Sequence, residues 1–252
     1  MKIMLDAGHY GQRNRSPVTP EYYESVAMWR LCEYLSDALA RYGFTVGRTR
    51  EEQETDLAVT ARGRKAAGYD LFISLHSNAA NSESVDRVDV YGPIDMNGRV
   101  YELGSVLINA VSELMGVSKG SVKTRRSSSG DDEYYGVLRG ARSVGCGAYY
   151  IIEHSFHTNR NASLWLLDDA NLRALAEVEA AVIASFYGMV DGFEPGDVDM
   201  NGRLDSVDVM LIKRAYFGTL TLSDAQKRLA DIDNSGNIDI FDYLLAKRKY
   251  FE

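Results

Sequence analysis

Leu71-Phe72-Ile73-Ser74-Leu75-His76-Ser77-Asn78 reads as a strand that ends in reactive side chains. Residues 71–75 are apolar except for Ser74, the pattern of a strand covered on both faces. Comparable short runs are Ile3-Met4-Leu5, Phe44-Thr45-Val46, Val88-Asp89-Val90-Tyr91 and Tyr149-Tyr150-Ile151-Ile152. Helical patterns fill the intervals, at about 22–42, 56–67, 99–115 and 171–187. In the first of these, Met28, Leu31, Leu35, Ala38, Leu39 and Tyr42 recur at three and four, forming one buried stripe. Gly43 and Gly116 stand where a glycine closes a helix. Strands alternating with helices predict an α/β fold: a mostly parallel twisted sheet with helices on both faces. The stretch 118–133, rich in Ser, Gly, Lys, Arg and Asp, reads as a mobile loop.

The chain of 252 residues carries 36 acidic and 28 basic side chains, formally −8. This balance argues against a nucleic-acid partner, which calls for a basic face. No apolar run approaches the roughly 18 residues of a membrane span, so no membrane insertion is expected. Cys32 falls in a helical pattern and Cys146 in a Gly-rich loop, and both read as free thiols. Met1–Leu5 is already a strand, and Asp6 follows without a basic or apolar leader, so no signal peptide is read.

Near residue 190 the sequence changes character. The expected division is a first domain at 1–190, a linker at 191–196 and a small domain at 197–252. The small domain repeats itself at an offset of 34 residues. Asp197, Asp199, Asn201, Gly202, Arg203, Asp205 and Asp208 correspond to Asp231, Asp233, Ser235, Gly236, Asn237, Asp239 and Asp242. Counted from the first Asp, oxygen-bearing side chains fall at 1, 3, 5, 9 and 12, Gly at 6, and a backbone carbonyl (Arg203, Asn237) at 7. That is the spacing of EF-hand-like calcium loops, in which a hard cation gathers six to eight oxygens around a sharp glycine bend. Two structural calcium ions are expected, in a small all-α calcium-binding domain. Leu204 and Ile238, at position 8, fit a short strand coupling the loops. Pro195 and Gly196 leave no room for a helix before the first loop, and Ser223 to Gln226 reads as a capping box before the second. Acidic loops can be mere solvated turns, but two in register with matching helices argue otherwise.

His9 follows the first strand and His76 follows another. In open parallel sheets, sites form beyond the carboxyl ends of strands, so both imidazoles belong to one sheet edge. Glu24 lies in the first turn of the next helix and can face the same edge. Two imidazoles, one carboxylate and an open fourth position make a catalytic zinc site. Glu153 ends the strand 149–152 on that edge, a carboxylate beside the metal rather than on it. Zinc would bring the pKa of water toward about 7, and Glu153 would take the proton and later return it to a leaving nitrogen. Taken singly, Glu24 is also a favourable helix N-terminal carboxylate, and Glu153 a buried partner for an arginine.

At these residues the sequence resembles the zinc-dependent N-acetylmuramoyl-L-alanine amidases, the type 3 amidases of autolysins and phage endolysins. The family's Asp-Pro-Gly-His-Gly-Gly is matched by Asp6-Ala7-Gly8-His9-Tyr10-Gly11, and its Ser-Ile-His-Ala-Asn by Ser74-Leu75-His76-Ser77-Asn78. Its Glu-x-Gly-Phe-x-x-Asn is matched by Glu153-His154-Ser155-Phe156-His157-Thr158-Asn159, and an intermediate motif by Gly43 to Arg50. The resemblance implies one zinc ion held by His9, Glu24 and His76, catalysis by Glu153, and a mixed six-stranded sheet. It implies hydrolysis of the amide between the muramic acid lactyl group and L-alanine in bacterial peptidoglycan. Ala7, Tyr10 and Ser155 depart from the family pattern, and His154 and His157 flank the catalytic stretch. His157, Arg139 and Asn78 are substrate-side candidates; for His157 a structural hydrogen-bonding role is at least as good a reading, and for Arg139 an ordinary surface role.

Residues 193–252 resemble type I dockerins, whose role is calcium-dependent docking to a cohesin. The resemblance implies partner-binding positions at Ser206, Val207, Lys213 and Arg214, and at Ile240, Phe241, Lys247 and Arg248. The halves differ at the first two of each set, which argues against symmetric docking. Two other readings stay open: a zinc peptidase of the wall stem peptide, and a calcium-dependent binding module with weak activity. An extracytoplasmic substrate and no export signal together suggest a phage or prophage endolysin, made in the cytoplasm and released through a holin-type lesion.

Overall fold

The computed structural model describes residues 1–189, 193–222 and 224–251. Two compact units emerge, one of Met1–Leu39 with Phe44–Val182, the other of Ala40–Gly43 with Ile183–Glu252. The expected start of the linker and Ser223 of the expected capping box lie outside the described residues.

The first unit is built on a six-stranded mixed sheet, as expected. In chain order its strands are β1 (Lys2–Ala7), β2 (Thr45–Arg48), β3 (Leu71–Asn78), β4 (Arg87–Tyr91), β5 (Ser118–Lys123) and β6 (Ala148–Phe156). They lie in the order β2-β1-β3-β6-β4-β5. All neighbours are parallel except β4 and β6, so β4 and β5 run against the rest. Every residue of β6 is buried, as befits a central strand. The carboxyl ends of β1, β3 and β6 consequently share one edge of the sheet.

Helices cover both faces. Alternation along the strands sends Met4, Phe72, Tyr149 and Ile151 to one face, where they pack with Ala66, Val137, Leu138 and Ala141. These come from α2 (Val59–Arg64) and the turn after it, and from α4 (Gly136–Ser143). On the other face Tyr150 donates its hydroxyl to the Val100 carbonyl of α3 (Gly98–Met115) at 2.7 Å. The apolar stripe of α1 (Glu24–Arg41) is fully buried at Met28, Leu31, Leu35 and Leu39. The remaining helices of this part of the chain are α5 (Arg160–Leu167) and α6 (Asp169–Phe186).

The reading of 118–133 as a mobile loop is corrected: its first six residues are β5, and Arg126 bridges to Glu133. Ser118-Lys119-Gly120-Ser121-Val122-Lys123 offers one large apolar side chain because it is an edge strand, half of it exposed and none of it buried, and lysines keep such an edge from pairing further.

Helices α2 and α4 cross at two glycines. A Cβ on Gly63 would lie 1.9 Å from the Val137 carbonyl oxygen, and one on Gly140 would lie 2.3 Å from that of Thr60. We expect Gly63→Ala to cost about 3 kcal/mol, the upper end for overpacking. The denaturation midpoint should fall with its slope unchanged; an unmoved midpoint would show that the helices can part.

The second unit contains α7 (Ser206–Tyr216), α8 (Asp224–Ala230) and α9 (Ile240–Phe251). Among the described residues, one small core cluster there joins Val198, Ile212, Leu222, Leu229, Ala230 and Ala246. Leu204 and Ile238 pack against that core, and neither lies in a strand, so the expected coupling strand is absent among the described residues.

Candidate active site

His9, Glu24 and His76 converge: one donor atom from each lies within 4.8 Å of the other two. His9 sits just beyond β1 with φ +56°, a left-handed backbone that a non-glycine residue adopts at a cost. Glu24 is the first residue of α1 and is fully buried. His76 lies near the end of β3, its ring edge-on to that of His9 with centroids 5.2 Å apart. The glycine of the first motif is required by this approach, because a Cβ on Gly8 would meet the His76 ring at 2.6 Å.

Hydrogen bonds align the carboxylate. Glu24 Oε1 lies 2.8 Å from His76 Nδ1 and accepts the Ser77 amide at 3.1 Å. Oε2 lies 3.4 Å from His9 Nε2 and accepts the Asn14 side-chain amide at 2.8 Å. Burial alone would raise the Glu24 pKa, but the hydrogen bonds and charges of His76 and His9 outweigh it and hold the carboxyl well below the usual range. The Asn14 amide also reaches His9 Nε2 at 2.9 Å. An amide N–H pointing at that nitrogen occupies the lone pair that a metal would take in its place. Asn14, itself left-handed at φ +52°, carried no signal in the sequence.

Glu153 pairs with His76 across β3–β6 and with Asp89 across β4–β6. It is buried, and its Oε2 has no hydrogen-bond partner. Burial first, then the charges of Glu24 and Asp89, push its pKa well above the usual carboxylate range, with Lys123 opposing. Two imidazoles, an ionised carboxylate and an unpartnered carboxyl oxygen fit a divalent cation with a proton acceptor beside it.

The other candidates are placed less directly. His157 is buried, with Nδ1 2.9 Å from the Ser77 carbonyl oxygen and 3.0 Å from the Ser77 hydroxyl, and it stacks on Tyr22. It backs Glu24 at 3.8 Å, the arrangement of a structural histidine. Asn78 pairs with Phe156 where β3 and β6 slip in register, and its side-chain oxygen accepts the Ala79 amide. Arg139 donates to the carbonyls of Glu133 at 2.8 Å and Tyr134 at 3.1 Å, so it pins the loop before α4. Ser155, where the family has glycine, takes φ +62° and donates its hydroxyl to Asp86.

His154 forms a pair that the sequence did not reveal. Both His154 and Glu179 of α6 are fully buried; Nε2 lies 2.9 Å from Glu179 Oε1, and Nδ1 lies 2.9 Å from the His76 carbonyl oxygen. Glu179→Ala should cost roughly 3–5 kcal/mol, because it strands a buried imidazole. Glu179→Gln keeps a hydrogen-bond partner, its amide N–H able to serve Nε2 while Nδ1–H stays on the His76 carbonyl, and should cost much less. Equal melting temperatures for the two variants would contradict this account.

In the second unit the two acidic loops reproduce each other's hydrogen bonds. Asp197 accepts the amides of Asn201 and Gly202 at 3.1 and 2.8 Å; Asp231 accepts those of Ser235 and Gly236 at 2.9 and 2.8 Å. Asp208 accepts from Asp199 and Asp205, and Asp242 from Ile232 and Asp239. Gly202 and Gly236 have φ of +92° and +85°, the bend that position 6 requires. Asp197, Asp199 and Asp208 converge, as do Asp231, Asp233 and Asp242. Asn201, Arg203 and Asp205, with Ser235, Asn237 and Asp239, complete the loops; Asp205 and Asp239 also accept amides at the starts of α7 and α9. Burial, then crowding by Asp208 and Asp199, raises the Asp197 pKa, and burial raises that of Asp242. Ser206, Val207, Lys213, Arg214, Ile240, Phe241, Lys247 and Arg248 are all exposed.

The sheet thus carries at its carboxyl edge a cluster able to hold a divalent cation. Residues 3–185 match the family model for N-acetylmuramoyl-L-alanine amidase, and residues 195–249 match that for the dockerin type I domain. The chain belongs to the N-acetylmuramoyl-L-alanine amidase family and is an enzyme of that class, a peptidoglycan amidase. Solved structures share its fold. Cwp6 from Clostridium difficile has 21% identity and a TM-score of 0.66 over 73% of this chain, but only 29% of Cwp6 is covered. The catalytic domain of CwlV, an N-acetylmuramoyl-L-alanine amidase from Bacillus (Paenibacillus) polymyxa var. colistinus, has 16% identity and a TM-score of 0.62, over 75% of this chain and 99% of that one. AmiC2 of Nostoc punctiforme, another such amidase, has 18% identity and a TM-score of 0.61, over 74% and 96%. No curated protein sequence matches the chain. Among the described residues, no helix is long and apolar enough to cross a membrane.

Proposed function

We propose that the chain is a zinc amidase that cuts peptidoglycan between N-acetylmuramic acid and L-alanine. The observation that carries this reading is the convergence of His9, Glu24 and His76 beside the unpartnered oxygen of Glu153. A zinc ion held by those three residues would supply Lewis acidity, easing the ionisation of water and polarising the amide carbonyl. Glu153 Oε2 takes the proton of the attacking water and delivers it to the leaving nitrogen. Purified wall treated with the enzyme should gain free L-alanine amino groups. New reducing sugar ends, or cuts inside the stem peptide, would sink the reading. Zinc content should be one ion per chain and should fall to zero in His9→Ala.

We assign 1–190 to catalysis, 191–196 to a linker and 197–252 to a dockerin that binds two calcium ions and docks to a cohesin-type partner. The matching acidic loops and the exposed helix positions support this. Its test is calorimetry of the full chain against a cohesin panel with and without calcium; binding indifferent to calcium would overturn it.

A further inference from the structure

The ring of His76 is gripped from behind as well as from the metal side. Its Nε2 lies 3.1 Å from the Ser74 hydroxyl, and that hydroxyl lies 2.7 Å from Asp6 Oδ2. Asp6 is fully buried and accepts again at Oδ1 from the Thr49 hydroxyl, at 2.7 Å, while Arg62 Nη1 stands 3.4 Å from Oδ2. Arg62 and Arg50 both donate to the neighbouring Ala7 carbonyl, at 3.1 and 2.7 Å.

The direction of each bond follows from proton counting. A carboxylate only accepts, so the single Ser74 proton points to Asp6. The Ser74 lone pairs then face the ring, and Nε2 must carry a hydrogen to bond to them. The remaining lone pair of a neutral imidazole is on Nδ1, the atom that faces Glu24 Oε1 at 2.8 Å. Two such atoms sit this close only with a cation between them, the proton of their hydrogen bond or the metal ion that would replace it. We propose that Ser74 and Asp6 are positioning residues: their relay locks His76 in the Nε2–H tautomer and so assigns Nδ1 as its metal-binding atom. Carboxylates behind a metal-bound histidine commonly fix the ring in this way, and here a serine transmits the effect.

The proposal rests on the cluster being a metal site. Its test uses zinc itself and the full chain labelled with 15N-histidine. In zinc-loaded wild type, the His76 signals should show a protonated Nε2 and a metal-shifted Nδ1. Ser74→Ala should weaken zinc binding about 10–100-fold in chelator competition, the usual range for losing such support, and should mix or reverse the tautomer. Ser74→Thr, which keeps the hydroxyl, should recover most of the affinity. A wild type with zinc on Nε2 overturns the relay, and needs no variant to be read. So does a Ser74→Ala protein that binds zinc within about twofold of wild type, a change too small for lost support of this kind. A wild type that takes up no zinc at all overturns the metal reading, and the relay with it.

Discussion

Replacing Glu153 with Gln should abolish most hydrolysis and leave the metal in place. The substitution keeps volume and one acceptor oxygen but removes the atom that carries a proton. General acid–base catalysis contributes about 10²–10⁴-fold, so kcat should fall roughly a thousandfold on that scale. Zinc content and KM should change little, because Glu153 faces His76 across the strand pair rather than completing the His9–Glu24–His76 cluster. Gln should also remove part of a structural burden: the carboxyl is buried, unpartnered at Oε2 and set between Glu24 and Asp89. The variant should therefore melt at or above the wild-type temperature. Lost activity with lost zinc would instead make Glu153 a ligand; full activity would move the proton acceptor elsewhere.

Removing calcium should unfold the second unit. Among the described residues, the apolar cluster beneath its loops has only six buried side chains, two of them alanines. Below about 70–80 residues such a core rarely supplies more than 3–5 kcal/mol. A site at thousandfold excess over its dissociation constant adds about 4 kcal/mol, so two sites exceed what the core offers. Without cations, the converging carboxylates of each loop are held mainly by backbone amides, with the Asn201 side-chain amide on Asp199 in the first. A chelator should erase the helical signal of α7, α8 and α9 and open this region to proteases, and calcium should restore both. Asp208→Ala should do the same to the first loop, since Asp208 accepts the amides of both Asp199 and Asp205. Unchanged circular dichroism in excess chelator would refute the calcium account.

Strands β3 and β6 were legible because buried strands must be apolar on both faces, and α1 because its stripe has the period of a helix. Strand β5 was not, since an edge strand owes nothing to the core. The eight-residue helices α4 and α5 were also invisible. Helix α4 contains two glycines, poor helix formers, one of which is kept because α2 passes so closely. In the site, ends of strands pointed to His9, His76 and Glu153. What holds them did not show. Asp6 meets Arg62 and Ser74, and His154 meets Glu179, across long stretches of chain that carry no local pattern. Arg139 looked like a substrate-side cation because sequence does not reveal which arginines are spent on carbonyls.

The site is anchored at two depths. Glu153 and His76 ride on adjacent central strands, whose amides should exchange only when the whole unit opens. His9 stands beyond the end of β1 in a left-handed turn, its side chain 34% exposed. Local opening there costs far less than melting the sheet. Heat inactivation should accordingly begin as metal release at temperatures where the sheet is still intact, and added zinc should reverse it until β3 and β6 part.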